Sequence, residues 1–278
     1  MEDNNNGYKP IGSIAEFMQS TTERKPAWID HIVPQEPGEI VLIAAPPGIG
    51  KTNVALSMGF ALSNGSDFLS FGCHRANTVY LALEGPEDNL RNRIRKIWHM
   101  YEEPELLRYS REEPFKLGTE QGFHKFCSRC QKADVILIDN LKQIAPPDYL
   151  KPEGAKRFCD VLRKALRSIG AVGILTCHVA KHGGDLRYRL DPDDVFNIKG
   201  AADYAEEAST VITMDYERKA KDNRGKFSPQ NKANINLYFA KARISTVQLP
   251  PLYLRWDYER GIFNFRDIDQ VRALEAYK

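Results

Sequence analysis

A short glycine-containing segment between an apolar run and a helical pattern constrains this chain more than any other feature. Residues 45–52 read APPGIGKT and follow the apolar run IVLIA at 40–44. The next residues carry apolar side chains at helical spacing, among them Val54, Met58 and Leu62. A strand, a glycine-bearing turn and a helix in this order direct backbone N–H groups and a helix N-terminus at a polyphosphate. The sequence therefore predicts a phosphate-binding loop at the edge of a sheet.

The residues of this loop predict how a nucleoside triphosphate would be held. Lys51 is expected to reach the β- and γ-phosphates, and Thr52 to place its hydroxyl on Mg²⁺. The predicted nucleotide contacts in this segment are Pro47, Gly48, Ile49, Gly50, Lys51, Thr52 and Asn53. The usual first glycine of such loops is replaced by Ala45, whose side chain narrows the backbone choices there. We expect ATP and Mg²⁺ as ligands and disfavour the alternative of a chance match in an ordinary turn.

Alternation of strands and helices predicts the fold class. Three further apolar runs are predicted as buried strands, at 78–83, 135–138 and 171–177. Helical patterns lie between them, which implies a parallel sheet with helices on both faces. Short alternating segments follow near the end of the chain, at 211–214, 235–239, 252–256 and 261–265. We therefore expect an α/β protein with a mainly parallel sheet flanked by helices and a C-terminal antiparallel extension.

Length and composition favour one ATPase domain preceded by an arm. The chain has 278 residues, 42% of them hydrophobic, which is ample for a core. Residues 1–24 are predicted as an N-terminal arm with a short helix capped by Ser13, and residues 25–278 as the ATPase domain. No apolar run approaches membrane-spanning length, and the N-terminus lacks an apolar signal-peptide core. We expect a cytoplasmic protein without a membrane partner.

Some of the cysteines have a spacing that could bind a metal ion. Five are present, and their uneven spacing suits a reducing compartment better than a disulfide scaffold. His124, Cys127 and Cys130 form an H-x-x-C-x-x-C run on a predicted helix. Because no second pair of ligands accompanies them, we favour ordinary helix positions over a metal site.

Three predicted strands are followed by polar residues that suit ATP hydrolysis. Parallel strands gather their carboxyl ends at one edge, so Glu84, Asp139 and His178 are expected to converge on the phosphate loop. Asp139 follows four apolar residues, the Walker B pattern, and is expected to hold Mg²⁺ directly or through water. Many related ATPases place a glutamate directly after this aspartate, but here the residue is Asn140. Glu84 is therefore the candidate that activates the attacking water, and His178 the candidate sensor of the γ-phosphate.

These segments together resemble a known family. The phosphate loop, YLALEGP at 80–86, LIDNL at 137–141 and TCHVAK at 176–181 occur in the family's order. They are similar to those of the RepA-type hexameric replicative helicases of plasmids, within the RecA- and DnaB-like ATPases. The similarity extends from about residue 11 to residue 265. It implies a RecA-like core, a six-membered ring, nucleotide bound between subunits, and the roles given above for the loop and strand-end residues.

The resemblance also implies a base site and a positive group supplied by a neighbouring subunit. The family stacks adenine on an arginine nine residues after the catalytic glutamate, which is Arg93 here. In the family a tyrosine covers the other face of the base, and Ile244 stands at the corresponding position here. The family's arginine before Gly-Ser, a positive group that reaches across to the neighbouring subunit, corresponds to Lys199. Lys241 and Arg243 resemble the pair that DnaB-like helicases extend toward a neighbour's γ-phosphate. We expect Arg243 as the finger with Lys241 supporting it; solvated strand-end charges are the alternative.

Two basic segments are candidates for contact with single-stranded DNA. The first directly follows the predicted sensor strand, and its candidate contacts are Lys181, His182, Arg187 and Arg189. The second, residues 218–232, carries six basic side chains around Gly225. Basic, flexible segments track a phosphate backbone, and Tyr188 in the first could stack a base. We favour the first segment, although either could be a solvated surface loop.

Taken together, these features predict an ATP hydrolase that acts as a ring-shaped, hexameric DNA helicase or translocase in plasmid, phage or mobile-element replication. Self-association and single-stranded DNA are the expected partners. The alternative is a RecA-fold regulatory or recombinase-like ATPase acting on a protein partner or a DNA filament, because the same catalytic residues serve both. A small-molecule kinase is disfavoured, since no lid with catalytic arginines is recognisable in the sequence.

Overall fold

One nine-stranded sheet organises the protein. The structure, a computed structural model, describes residues 27–99, 106–111, 115–178, 202–216, 233–245 and 247–275. The strands are β1 (Ile40–Ala45), β2 (Thr78–Ala82), β3 (Leu107–Arg111), β4 (Val135–Asp139), β5 (Val172–His178), β6 (Thr210–Tyr216), β7 (Asn234–Ala242), β8 (Leu252–Asp257) and β9 (Ile262–Phe265). The helices within these ranges are α1 (Lys51–Asn64), α2 (Glu87–Trp98), α3 (Glu120–Arg129), α4 (Leu141–Ile144), α5 (Pro152–Ile169), α6 (Ala202–Glu207) and α7 (Ile268–Glu275).

The strand order is β3-β2-β4-β5-β1-β6-β7-β8-β9. The first six strands in this order run parallel, and β7, β8 and β9 continue the sheet in antiparallel fashion. β1 and β2 are buried along their whole length, as expected for central strands covered on both faces. The predicted fold class is therefore confirmed: a mainly parallel sheet with a C-terminal antiparallel extension, consistent with a P-loop ATPase fold.

Helices cover both faces of the sheet. The apolar side of α1, with Val54 and Met58, packs in one core with Leu137 and Ile174 of the sheet. The apolar side of α5 packs on the other face, where Leu162 shares a core with Leu42 and Ile138. α5 ends at Gly170, whose φ of 88° is the left-handed cap that glycine adopts at little cost. Two separate cores thus hold the parallel strands in place from both sides.

One strand assignment requires correction. The segment 211–214 was expected to belong to the antiparallel extension, but β6 pairs parallel with β1 and antiparallel with β7. Val211, Ile212, Thr213 and Met214 are all buried, because β6 lies between two strands and is covered on both faces. β6 is therefore the junction between the two halves of the sheet.

Several short elements were not predicted. β3 reads LRYSR and extends the parallel sheet beyond β2 as an edge strand, where polar residues are tolerated. α4, α6 and α7 have only four, six and eight residues, too few for a clear apolar periodicity. The predicted N-terminal helix lies outside the described residues. In the part of the chain that the structure describes, no helix has the length and apolar character needed to span a bilayer.

The H-x-x-C-x-x-C run lies on and just after α3. Cys130 is fully buried in the core, and the Sγ atom of Cys127 lies 3.5 Å from Ser168 Oγ. The ring of His124 makes an edge contact with Phe123. Within the described ranges, no three histidine, cysteine or acidic side chains are grouped so that they could hold a metal ion.

Candidate nucleotide-binding site

The predicted phosphate loop connects β1 to α1. Gly48 and Gly50 adopt φ values of 85° and 103°, in the left-handed region that other residues rarely occupy, and Gly50 is the N-cap of α1. Ala45 is the last residue of β1 and is fully buried with ordinary strand geometry. The absence of the usual first glycine therefore causes no backbone strain, because the two positions that require glycine have it.

The register of the central strands brings the strand-end residues to this loop. Asp139 at the end of β4 is opposite Ala82 of β2, and His178 at the end of β5 is opposite Ala45. As a result His178 Nδ1 lies 3.0 Å from Lys51 Nζ, and His178 Nε2 lies 3.7 Å from Glu84 Oε2. The structure thus places Lys51, Glu84, Asp139 and His178 in one site, as expected for parallel strands that share an edge.

Asp139 accepts hydrogen bonds from three hydroxyl groups. Thr52 Oγ1 donates to it at 2.7 Å, the phenol of Tyr80 at 2.7 Å and Thr176 Oγ1 at 2.5 Å. Tyr80 and Thr176 are almost fully buried, and burial, followed by the charge of Asp139, raises the pKa of the Tyr80 phenol well above its usual value. The phenol therefore keeps its proton and serves as a donor that orients the carboxylate.

The sequence motifs do not indicate that Tyr80 and Thr176 contact Asp139. The available signal was a polar side chain inside an otherwise apolar strand, since a buried hydroxyl requires a partner. The aspartate that meets both hydroxyls comes from β4, which is far away in the sequence.

Glu84 is held by the residue that takes the place of the usual glutamate. Asn140 Nδ2 donates a hydrogen bond to Glu84 Oε2, and Asn140 is only 2% exposed. The ends of the two strands are also joined through the backbone, because Leu83 N donates to Asp139 O at 2.8 Å. The amide of Asn140 therefore orients the carboxylate of Glu84 from the neighbouring strand.

Lys51 is a buried cation with all three donors in use. Its Nζ donates to the carbonyl oxygens of Ala45 at 2.8 Å and Pro46 at 3.0 Å, and it contacts His178 Nδ1. Burial lowers the pKa of Lys51 to about 8, although the charges of Asp139 and Glu84 act in the opposite direction. Lys51 remains mostly protonated at neutral pH, so it carries the positive charge that phosphate binding requires.

The protonation of His178 follows from these contacts. Burial, and then the charge of Lys51, lower the pKa of His178, so its ring is neutral near pH 7. A lysine ammonium has only donors, so Nδ1 must be the accepting nitrogen and the ring proton sits on Nε2. That proton faces the carboxylate of Glu84, which connects the phosphate-loop lysine to the candidate base through one imidazole.

A cleft of about 460 Å³ opens beside these residues. The predicted contacts that line it are Gly48, Ile49, Gly50, Lys51, Thr52, Asn53, Glu84, Arg93, Asp139 and His178. Pro47 is exposed in the same turn but does not line the cleft. The cleft therefore combines the phosphate loop, the strand-end residues and one face of α2.

Aromatic side chains also line this cleft, and the sequence interpretation did not include them. Trp256 from β8 is mostly buried, and Tyr258 in the turn after β8 is 57% exposed. Lys96 of α2 donates through Nζ to Tyr258 O at 2.5 Å, which ties this turn to the helix that carries Arg93. Ile244, expected beside the base, lies after β7 and does not line the cleft.

The candidate finger residues lie elsewhere in the same subunit. Lys241 Nζ donates to the carbonyl oxygens of Ala205 at 2.7 Å and Glu206 at 2.8 Å, and Arg243 donates to Glu206 O at 3.2 Å. Both side chains thus bond backbone carbonyls of α6, as basic residues do near helix C-termini. Neither lines the cleft of its own subunit, and a role toward a neighbour stays a prediction. Lys199, residues 181–189 and residues 218–232 lie outside the described residues.

Comparison with known proteins assigns the chain to a family. Residues 12–184, well over half of the sequence, match the AAA domain family. No curated protein matches the chain significantly. The matched range contains the phosphate loop, Glu84, Asp139 and His178, which the structure gathers in one site. The chain therefore belongs to the AAA domain family of P-loop ATPases.

Proposed function

We propose that this ATPase is a ring-shaped DNA helicase or translocase that uses ATP with Mg²⁺. The observation that carries the proposal is the placement of His178 between Lys51, at 3.0 Å, and Glu84, at 3.7 Å, beside an aspartate held by three hydroxyls. Thr52 and Asp139 supply the hard oxygen donors that Mg²⁺ prefers, and their oxygens lie 2.7 Å apart. When bound, the ion would neutralise charge on the β- and γ-phosphates.

The residues fit an in-line attack of water on the γ-phosphorus. Water forms a new O–P bond while the bond from the γ-phosphorus to the β–γ bridging oxygen breaks, and Glu84 accepts the proton of the water. ADP leaves with the electron pair of the broken bond, so inorganic phosphate and ADP are the products. Asn140 orients Glu84 for this step, and Lys51 stabilises the charge on the phosphates.

The contacts of Lys51 suggest how the site responds to nucleotide. Its three donors are occupied by two carbonyl oxygens and His178, so a phosphate oxygen must replace at least one of them. If His178 is released, its ring becomes available to the γ-phosphate and its contact with Glu84 changes. The residues that follow His178 in sequence are those of the first basic segment, 181–189. This continuity supports the role of that segment in coupling hydrolysis to DNA.

Expected effect of single-stranded DNA

Single-stranded DNA is expected to increase steady-state ATP hydrolysis several-fold, because contact with DNA at residues 181–189 would be passed along the chain directly to His178, the last residue of β5. The measurement is phosphate release with and without single-stranded DNA, on protein whose mass in solution is determined in the same buffer. Stimulation in a species of ring size supports the helicase or translocase. Hydrolysis that is indifferent to DNA would favour the alternative, a regulatory or recombinase-like ATPase with a protein partner.

Expected effect of the cleft aromatics

We expect Tyr258, rather than Ile244, to face the base together with Arg93. Replacing Tyr258 with alanine should weaken Mg-ATP binding by a factor of about 5 to 150, since stacking on an aromatic ring contributes roughly 1–3 kcal/mol per base. Turnover at saturating ATP should change little, because stacking on the base stabilises the bound substrate and the transition state equally. Ile244→Ala is the matched control and should bind as the wild type does. A loss of affinity in the control with none in Tyr258→Ala would reassign the base to Ile244.

A further inference from the structure

The phosphate loop receives one side-chain hydrogen bond from outside the nucleotide cleft. The hydroxyl of Tyr216, at the end of β6, donates to the carbonyl oxygen of Gly48 at 2.8 Å. Tyr216 is half-buried and does not itself line the cleft. It is therefore placed to act on the nucleotide only through the loop.

We propose that Tyr216 is a positioning residue that holds the phosphate loop in its nucleotide-binding conformation. The inference rests on the proposed function in one respect, namely that this loop binds ATP. It adds a residue that neither the loop motif nor the strand-end pattern includes, since Tyr216 lies 168 residues from Gly48.

The geometry of a peptide bond explains how this contact acts on a donor of the loop. The bond between Gly48 and Ile49 is trans, so its carbonyl and its N–H point in opposite directions. When Tyr216 fixes the Gly48 carbonyl, it also fixes the direction of the Ile49 N–H, one of the loop's donors for phosphate. Gly48 itself has a φ of 85°. Because glycine can adopt many other backbone conformations, the loop can leave this one once the contact with Tyr216 is lost.

Two further hydrogen bonds to the loop come from Lys51, whose ammonium group must also bind phosphate. Lys51 holds the carbonyls of Ala45 and Pro46, and phosphate competes for the same ammonium group. The bond from Tyr216 does not involve a phosphate-binding group, so it can persist when nucleotide is bound. Burial raises the pKa of the Tyr216 phenol, so the donor keeps its proton throughout the neutral range.

The strand beside Tyr216 supports the same loop. Ile235 of β7 is directly opposite Tyr216 in the sheet, is 3% exposed and lines the cleft. Its Cδ1 atom lies 3.6 Å from the position that a Cβ atom would take at Gly50. Tyr216 of β6 thus donates a hydrogen bond to one left-handed glycine of the loop, and Ile235 of β7 lies beside the other.

The test compares two tyrosine-to-phenylalanine variants that each remove one bond of the same kind. Tyr216→Phe removes the bond to Gly48 O, and Tyr204→Phe removes a 2.8 Å bond to Tyr149 O on another part of the molecule. The dissociation constant of Mg-ATP is measured by equilibrium titration, kcat and KM by phosphate release, and folding by thermal unfolding. We expect Tyr216→Phe to weaken Mg-ATP binding about fivefold to tenfold with kcat within about twofold of wild type. Tyr204→Phe should change neither the dissociation constant of Mg-ATP nor kcat.

The outcomes separate this inference from the proposed function. Wild-type affinity in Tyr216→Phe, or an equal loss in Tyr204→Phe, would overturn the positioning role while the ATPase assignment stands. If the wild-type protein itself fails to bind Mg-ATP, both the proposed function and the role of Tyr216 are overturned. A fall in kcat without a change in affinity would also contradict the inference, because a loop-positioning residue acts on binding first.

Discussion

Replacing Lys51 with alanine is expected to abolish ATP hydrolysis and to weaken Mg-ATP binding by roughly a hundredfold. Lys51 is the cation of the phosphate loop, and a hydrogen bond from a charged group is worth about 1.5–3 kcal/mol. It also contacts His178 directly, so its removal interrupts the path to Glu84. Binding is measured by equilibrium titration with Mg-ATP, and turnover by phosphate release.

Lys156→Ala is the control for the loss of a lysine. Lys156 is exposed on α5 and lies outside the cleft, so this variant should bind and hydrolyse ATP as the wild type does. Thermal unfolding shows whether each variant is folded. Wild-type affinity in a folded Lys51→Ala protein would mean that the triphosphate binds elsewhere, and the assignment of the loop would be wrong.

Replacing Glu84 with glutamine is expected to lower turnover by a factor of about 10² to 10⁴ while leaving Mg-ATP affinity nearly unchanged. Glutamine has the shape of glutamate but cannot accept the proton of the attacking water. Its amide oxygen can still accept the hydrogen bond from Asn140, so the local arrangement is preserved. The side chain of Glu84 contacts Asn140 and His178, which both lie outside the phosphate loop.

Glu87→Gln is the matched control for this substitution. Glu87 lies three residues further on, in the first turn of α2, and forms an exposed ion pair with Arg91. The control should keep wild-type turnover, which would show that the loss in Glu84→Gln is not a general effect of removing negative charge near the cleft. Normal turnover in Glu84→Gln would assign the activation of water to another group.

The residues of the phosphate loop and the strand ends were predictable because their signals are local. Gly48, Gly50 and Lys51 follow one strand within a few residues, and the loop motif specifies their roles directly. Asp139 was recognised from the four apolar residues before it. The rule that parallel strands share a carboxyl edge then brought the separate segments to one site, where the structure also places them.

Residues whose importance depends on contact between distant segments were missed. Tyr80 and Thr176 reach Asp139 from two neighbouring strands, and Tyr258 enters the cleft from a turn near the end of the chain. Tyr258, which we expect to face the base, could not be found by counting along the sequence. Because loops vary in length, residues at the same place in the fold can have different sequence positions in different proteins. Only the packing of the turn after β8 against α2 shows where Tyr258 lies.

The fold class, the phosphate loop and the polar residues that follow the central strands were predictable from the sequence alone. Each of these depends on short-range patterns: apolar runs, glycine positions and the residue that follows a strand. The folded structure was needed to show that β6 joins the two halves of the sheet and that its last residue, Tyr216, donates a hydrogen bond to Gly48. Strand order and side-chain partners are set by packing between segments far apart in the chain, and no local pattern records which segments will meet.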